Sequence, residues 1–145
     1  MIEQLNNALE GSMTTTTFIY NDGGRKDAGY KGTAGDCAAR AMAIALEIPY
    51  KQAYDELARA HRARTGQKTA RKGIYKDDFE TVLALYGWVW HPAPKLNGRK
   101  ARCGDMPEGK VIARMARHYA AVIDGVVHDS WDSTGKMIYG YWRAA

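Results

Sequence analysis

Cysteine and proline are scarce in this sequence, and long apolar segments are absent. Its 145 residues include 2 cysteines and 4 prolines. Two cysteines are too few for a disulfide scaffold, and no apolar run approaches the ~18–20 residues that a membrane helix needs. No secretory signal is apparent at the start of the chain. We therefore expect a cytoplasmic protein that makes no contact with a membrane.

Acidic residues are outnumbered by basic ones. The chain has 16 Asp and Glu against 21 Lys and Arg, which gives a formal net charge of +5. This mild excess permits contact with nucleic acid or an acidic protein but does not require it. Charged residues make up 26% of the chain and hydrophobic residues 46%, as in ordinary globular proteins. The length is enough for one domain with a real hydrophobic core.

The first twelve residues differ from the rest. Gly11 and Ser12 precede a second methionine, Met13, and a Gly-Ser pair before Met is typical of a fused segment. We interpret residues 1–12 as leader or fusion sequence and residues 13–145 as a single domain. The alternative is a native amphipathic helix that leads into the domain.

The predicted elements run from helices to a sheet, with one short strand before the helices. Residues 37–46 are apolar on nearly every side, which predicts a central buried helix. Asp-Gly between two apolar runs is a strong hairpin signal. This order predicts an α+β fold with an antiparallel C-terminal sheet and an irregular connection over residues 92–109. The predicted helices are 37–46, 49–63 and 77–86, and the predicted strands are 15–20, 88–91, 111–116, 118–123, 126–130 and 137–142.

Cys37 stands at the predicted start of the central helix, after Asp36. The unpaired N–H groups and the macrodipole of a helix N-terminus favour a thiolate. Packing as a small hydrophobe, a disulfide, metal binding and nucleophilic catalysis are all open roles for this thiol. Catalysis requires a histidine base and an acceptor that orients it. The candidate bases are His61, His91, His118 and His128.

The hairpin selects one histidine and one acid. If Asp124 and Gly125 form a two-residue turn, Ala120 lies opposite Asp129. Because side chains alternate between the faces of a strand, His118 and Asp129 then share a face as diagonal neighbours. His128 and Asp132 point the other way. A turn longer by one residue would reverse this assignment.

In the order Cys, His, Asp, with the cysteine at a helix start, the chain resembles the papain-like cysteine peptidase superfamily. HYAAVIDGVVHDSWD is similar to the corresponding segment of bacteriocin-processing peptidases and transglutaminase-like proteins. Residues 17–142 also resemble small phage-encoded papain-like proteins, through YNDGGRKDAGYKGTAGDCAARAMAIAL, GIYKDDFETVLALYGWVW and RHYAAVIDGVVHDSWD. The resemblance implies Cys37 as nucleophile, His118 as general base and acid, and Asp129 as the residue that orients it. It also implies a papain-like fold, with the Cys37 helix packed on the sheet.

One position departs from the pattern of that superfamily. Its members usually carry a glutamine about six residues before the cysteine, as a donor to the oxyanion, and this chain has Lys31 there. Lys31, Asn21 and the backbone N–H of Cys37 are the alternative donors. Loss of one oxyanion donor typically costs ~10²–10³ in rate, so the departure favours a slow or narrow reaction, or an inactive descendant. Asp36 also disfavours a thiolate, unless it caps the helix or Arg40 neutralises it.

A basic segment and a tryptophan complete the candidate site residues. From Arg59 to Lys76, both included, there are 7 Lys or Arg residues and no acidic residue. Such a run is usually a solvated loop; the alternatives are a lid or a landing site for nucleic acid or an acidic protein. Trp131 is predicted to stand opposite His118 and shield it from water. The candidate binding residues are Arg62, Arg64, Arg71, Lys72 and Trp131.

Metal ions and cofactors are not indicated. A zinc site would have to combine Cys37, Cys103, His118 and His128, whose spacing fits no finger or ribbon pattern. No glycine-rich phosphate motif follows a strand. The sequence thus predicts a small thiol enzyme acting on a protein or peptide substrate in a host cytoplasm, as a peptidase, deamidase or transglutaminase-like protein. The alternative is a non-catalytic host-takeover or counter-defence module that binds a host protein or nucleic acid. Oligomeric state is not predicted.

Overall fold

Three helices and a mostly antiparallel sheet make up the described part of the chain, in a computed structural model that describes residues 17–30, 36–66 and 76–145. The predicted α+β class is confirmed at this level. The helices are α1 (Cys37–Leu46), α2 (Tyr50–Thr65) and α3 (Lys76–Leu85). The strands are β1 (Phe18–Tyr20), β2 (Trp88–Pro92), β3 (Lys95–Leu96), β4 (Arg99–Lys100), β5 (Lys110–Met115), β6 (His118–Ile123), β7 (Val126–Asp129) and β8 (Ile138–Ala144).

Six of these strands form the main sheet, in the order β1-β7-β6-β5-β8-β2. Strand β1 pairs with β7 in parallel, with Tyr20 opposite Asp129, and the other neighbours are antiparallel. The predicted antiparallel sheet is therefore present, with the N-terminal strand added to its edge. Residues 1–12, for which a leader was predicted, and residues 15 and 16 of the predicted first strand lie outside the described residues.

Helix α1 is buried as its composition predicts. Five of its ten residues are alanines, which favour a helix and allow a close approach to the sheet because their side chains are small. It packs in one core cluster with residues from α2, α3 and the sheet, Ile112 and Ala121 among them. The helix ends at Glu47, which adopts a left-handed conformation with φ of 57°. Cys37, at the other end, is half-buried.

The predicted irregular connection at 92–109 is partly ordered, which corrects that expectation. Strands β3 and β4 form a small hairpin around Asn97 and Gly98, both with positive φ. Asn-Gly is a recognised hairpin signal, so the turn at Asn97 and Gly98 was predictable from the sequence. A short 3₁₀ helix follows at Cys103–Asp105. Cys103 and Met106 belong to a second core cluster, which includes Val111, Val122 and other sheet residues.

The edge strand β2 lies unusually close to β8 at one point. An added Cβ at Gly140 would stand 2.4 Å from the ring of Trp90 and 2.5 Å from the backbone oxygen of His91. No side chain fits that space, so glycine is required there on steric grounds. The ring of Trp90 also packs against Trp142, with ring centroids 4.7 Å apart.

Candidate active site

Two tight turns set the register of the strands around His118. Residues 116 and 117 join β5 to β6, with Arg117 at a φ of 56°. Asp124 and Gly125 join β6 to β7 with φ of 50° and 80°, the left-handed conformations that a two-residue hairpin turn needs. Ile123 pairs with Val126, as the sequence predicts. His118 therefore begins β6, and Asp129 ends β7 beside it.

The predicted contact between His118 and Asp129 is present. The Nε2 atom of His118 lies 2.6 Å from Oδ2 of Asp129, and both residues are buried. An ionised carboxylate only accepts hydrogen bonds, so Nε2–H donates to it. That bond leaves Nδ1 of His118 for a different partner.

Further hydrogen bonds hold the Asp129 carboxylate in place. The hydroxyl of Ser133 donates to Oδ2 over 2.8 Å, and the backbone N–H of Ser130 donates to Oδ1 over 2.7 Å. Ser133 has no exposed surface. Since both oxygens of Asp129 have donors, the carboxylate has a fixed orientation toward His118.

The Cys37 thiol lies near enough to His118 to raise the pKa of its imidazole. Burial alone lowers the pKa of His118, but the hydrogen bonds and charges of Asp129 and Cys37 outweigh it and raise the pKa to about 9. The imidazolium is therefore the favoured form at neutral pH. The structure brings together the thiol, the imidazole and the carboxylate for which the sequence predicts catalytic roles.

Trp131 lies against His118, as predicted. The two ring centroids are 4.7 Å apart, at an angle of 39°. Trp131 remains 44% exposed, so its outer face is open to a ligand. The other tryptophans are more buried, and Trp142 has no exposed surface. Trp131 thus covers the imidazole and forms part of the surface beside it.

Asp36 does not cap helix α1 with its side chain, which corrects one of two expectations for it. Its buried carboxylate instead accepts hydrogen bonds from Arg25, over 2.9 Å, from Arg40 and from the hydroxyl of Tyr50. Burial and the neighbouring Asp36 carboxylate raise the pKa of Tyr50, so Tyr50 stays a neutral donor. The alternative expectation, neutralisation of Asp36 by Arg40, is confirmed, and Arg25 adds a second cation.

The loop before α1 folds back against this helix. An added Cβ at Gly23, which has φ of 73°, would stand 3.0 Å from the backbone oxygen of Arg40. Asn21, a candidate oxyanion donor, uses its side-chain oxygen to accept a hydrogen bond from Gly23 N over 2.8 Å. Its own backbone N–H donates to the backbone oxygen of Asp129 over 2.8 Å. Lys31, the other side-chain candidate, lies outside the described residues.

The remaining histidines occupy other environments. His61 is buried, with Nδ1 3.6 Å from Oδ2 of Asp78. His91 stacks on Tyr141, with ring centroids 5.3 Å apart. Burial lowers the pKa of His128, which pairs with Ala121 in the hairpin. The structure therefore places one of the four candidate bases beside the Cys37 thiol.

Asp132, which the sequence disfavours as the orienting acid, is exposed. It accepts a hydrogen bond from Thr134 N over 3.0 Å. The Thr134 hydrogen bonds lower the pKa of Asp132. Asp132 thus stabilises the turn after β7, while Asp129 contacts the imidazole.

The predicted basic segment is described at residues 59–66 and at Lys76. Arg62 is exposed in the last turn of α2. Arg64 donates from Nε to both oxygens of Asp78, over 2.8 and 2.9 Å, so an ion pair already engages it. Arg71 and Lys72 lie outside the described residues. Of the four predicted binding cations, Arg62 is described as exposed, and it forms no ion pair with any described residue.

Cys103 is fully buried. Burial raises the pKa of its thiol to about 12, against the effect of a hydrogen bond with Ser133. Both cysteines are free. Within the described ranges, no three histidine, cysteine or acidic side chains are grouped so as to hold a metal ion. None of the described helices has the length and apolar character needed to cross a membrane.

Sequence reasoning missed three residues that surround the site: Arg25, Tyr50 and Ser133. Arg25 stands in a glycine-rich loop, and its ion pair with Asp36 spans eleven positions with no local periodicity to reveal it. Ser133 follows Asp129 by four positions in a polar turn and donates its hydroxyl to the Asp129 carboxylate, a side-chain contact that no sequence pattern specifies.

Comparisons with known proteins give no match: no family model, no curated protein and no solved structure matches the chain.

Proposed function

We propose that the protein is a thiol enzyme that cleaves or transfers acyl or amide groups with Cys37 as nucleophile. The observation that carries the proposal is the imidazole of His118, which is hydrogen-bonded to Asp129 and lies near enough to Cys37 for the thiol to raise its pKa. The orientation of the ring, with Nε2 toward the carboxylate, leaves Nδ1 for the thiol. A papain-like fold and the resemblance to phage-encoded proteins belong to the same proposal.

The proposed reaction uses His118 twice. His118 holds the proton of the Cys37 thiol as an imidazolium, and the thiolate attacks the carbonyl carbon of the substrate. The imidazolium then protonates the departing amine, which leaves a thioester on Cys37. Water or a second amine attacks the thioester while His118 accepts its proton. The carbon–sulfur bond then breaks, which restores the thiolate and the imidazolium. The first acceptor gives hydrolysis, as in a peptidase or deamidase, and the second gives acyl transfer.

An oxyanion donor is available on the backbone. The first N–H groups of a helix have no partner within the helix. Because the carboxylate of Asp36 is bonded to other side chains, it does not occupy the N–H groups of the first turn of α1. We assign the backbone N–H of Cys37 as the main donor to the oxyanion. A site with this donor and no glutamine fits a slow or narrow reaction.

Alkylation of the thiol tests the proposal directly. We expect iodoacetamide at pH 6 to modify Cys37 rapidly in the unaltered protein and slowly in His118→Ala, because an imidazolium neighbour favours the thiolate. Peptide mapping separates Cys37 from Cys103. His128→Ala is the matched control, since this histidine lies on the same hairpin, and it should leave the rate unchanged. Equal, slow alkylation in the unaltered protein and His118→Ala would rule out an activated thiol.

A binding function without catalysis is the second candidate, and exposed Arg62 at the start of the basic segment favours it. The partner would be a host protein or nucleic acid with negative charge. Charge reversal at Arg62 and Arg71 should then abolish binding, while Cys37→Ala should retain the full biological effect. Loss of that effect in Cys37→Ala would favour the enzyme.

A further inference from the structure

A short ribbon at the start of strand β8 has one buried side and one exposed side. Residues 101–103 run antiparallel to residues 136–138, joined by backbone hydrogen bonds of 3.1 and 2.8 Å and by the pairing of Arg102 with Met137. The inward-facing side chains belong to the second core cluster: Ala101, Cys103 and Ile138. Alternation along these two segments places four side chains on the exposed side, here called the outer face: Lys100, Arg102, Met137 and Tyr139.

Tyr139 is the aromatic residue of the outer face. Arg114 pairs with Gly140 and Met115 with Ile138, so Tyr139 is the extra residue of a β-bulge. Bulges redirect side chains and are frequent beside functional sites. The Tyr139 side chain is 40% exposed, so part of its ring is open to a ligand.

Two cations lie against the Tyr139 ring. The guanidinium carbon of Arg114 is 4.9 Å from the ring centroid, and Nζ of Lys100 is 5.9 Å from it. Arg114 also contacts the hydroxyl of Tyr119, but burial raises the pKa of Tyr119 to about 12, so this neighbour is neutral. Asp77 acts on the same hydroxyl and forms no ion pair with Arg114. Among the described residues, neither Lys100 nor Arg114 has an ion-pair partner, so both charges are available to an anionic ligand.

One acid lies next to the outer face. Asp105 accepts a hydrogen bond from the backbone N–H of Arg102 over 2.9 Å and one from Nη1 of Arg99 over 3.1 Å. The hydrogen bond from the Arg102 backbone and the contact with Arg99 lower the pKa of Asp105, so its carboxylate is ionised at neutral pH. Residues 99–105 contain three cations and this one acid. An excess of positive charge therefore remains along the ribbon.

Cations beside an exposed aromatic ring suit single-stranded nucleic acid better than other anionic partners. Lys and Arg bind phosphates, and an aromatic ring stacks on an unpaired base. A duplex conceals the faces of its bases, and the carboxylates of an acidic protein would leave the aromatic face unused. The net charge of +5 has the sign that a polyanion requires.

We propose that the outer face binds single-stranded nucleic acid, with Lys100, Arg102 and Arg114 contacting phosphates and Tyr139 stacking on a base. This inference does not rest on the proposed thiol chemistry, and its residues are different from those of the basic segment 59–76.

Fluorescence anisotropy with labelled oligonucleotides tests the inference. The probes are single-stranded DNA and RNA of one mixed sequence, about twelve nucleotides long, and the DNA duplex of that sequence. We expect a single-strand Kd in the micromolar range at low salt. Tyr139→Ala should weaken single-strand binding by about tenfold or more, because a stacking partner is lost. It should change duplex binding by less than about threefold, since paired bases present no free face.

The salt dependence of binding reads the two cations separately from the ring. Lys100→Gln and Arg114→Gln should each reduce the slope of log K against log salt by about 0.7, because each removes one phosphate contact. Tyr139→Phe retains the ring and should keep the affinity within about threefold of the unaltered protein. Lys26→Gln removes an exposed cation from the loop before α1 and should change neither affinity nor slope.

Four results would overturn the inference. They are the failure of both single strands to bind, equal losses of single-strand and duplex affinity in Tyr139→Ala, unchanged salt slopes in Lys100→Gln and Arg114→Gln, and equal competition by polyglutamate of similar charge. If Tyr139→Ala fails to fold, the two glutamine variants and the polyglutamate competition still decide. Loss of binding in Arg62→Gln but not in Lys100→Gln would move the site to helix α2 and also overturn it. Alkylation of Cys37 should be unchanged in the outer-face variants, so a failure here leaves the proposed function standing.

Discussion

Replacement of Asp129 by asparagine should lower the pKa of His118 sharply. Asparagine keeps an oxygen that can accept from Nε2–H, so the variant removes the charge and keeps the shape. The rise in the His118 pKa from 6.5 to about 9 corresponds to about 3 kcal/mol of preference for the imidazolium. Asp129 provides the leading contribution to that rise, ahead of Cys37.

These two pKa values give very different protonated fractions of the imidazole. At pH 8 a histidine with a pKa of about 9 is about 90% protonated, whereas one with a pKa of 6.5 is about 3% protonated. We expect a fall of one unit or more in Asp129→Asn, because an opposite charge in hydrogen-bond contact shifts a pKa by at least that much. Burial of the ring lowers the pKa in both proteins, and in the variant the charge of Asp129 no longer opposes it.

The assay is an NMR titration of the imidazole resonances from pH 5 to 10, with His118 assigned by its loss in His118→Gln. Asp132→Asn is the matched control, since Asp132 is exposed, lies three residues from Asp129 and hydrogen-bonds Thr134. It should leave the His118 titration unchanged. A His118 midpoint near 6.5 in the unaltered protein, or an unchanged midpoint in Asp129→Asn, would refute the electrostatic coupling.

Two further predictions concern stability. In a Cys37→Ala background, where no thiol titrates at this site, the raised pKa of His118 makes the unfolding free energy fall as pH rises from about 6.5 through the folded-state pKa. This fall in the unfolding free energy should not exceed about 3 kcal/mol. Urea unfolding at several pH values should detect the fall in Cys37→Ala and should not detect it when His118→Gln is added. Trp131→Ala should cost no more than about 1.5 kcal/mol, because the ring is 44% exposed, while Trp142→Ala should cost about 3–5 kcal/mol because that ring is fully buried. Similar urea midpoints for the two tryptophan variants would contradict the assigned burial.

Local sequence signals predicted the parts of the site that depend on local geometry. The Asp124–Gly125 turn fixes the register of its hairpin, and the period of two in a strand then determines which side chains share a face. The contact of His118 with Asp129 follows from those two rules. The start of α1 at Cys37 follows equally from composition.

Contacts between residues far apart in the chain could not be predicted from local sequence patterns. Strand β1 pairs in parallel with β7, more than a hundred residues away, and no local pattern specifies a partner at that separation. The ion pair of Arg25 with Asp36 depends on the path of a glycine-rich loop. Such loops take their conformation from tertiary contacts, here the approach of Gly23 to Arg40. The charged residues around the thiol were therefore less predictable from the sequence than the contact of His118 with Asp129.

The close approach at Gly140 has a consequence for how the sheet can assemble. A strand can in principle slide along its neighbour by two residues and keep the same faces. For β2 such a slide would bring the indole of Trp90 over a residue of β8 with a side chain, where the space of 2.4 Å measured at Gly140 admits none. Glycine at this one position therefore leaves the space that the indole of Trp90 occupies. It favours the observed register of the edge strand, in which Trp90 pairs with Trp142 and its ring lies against Gly140.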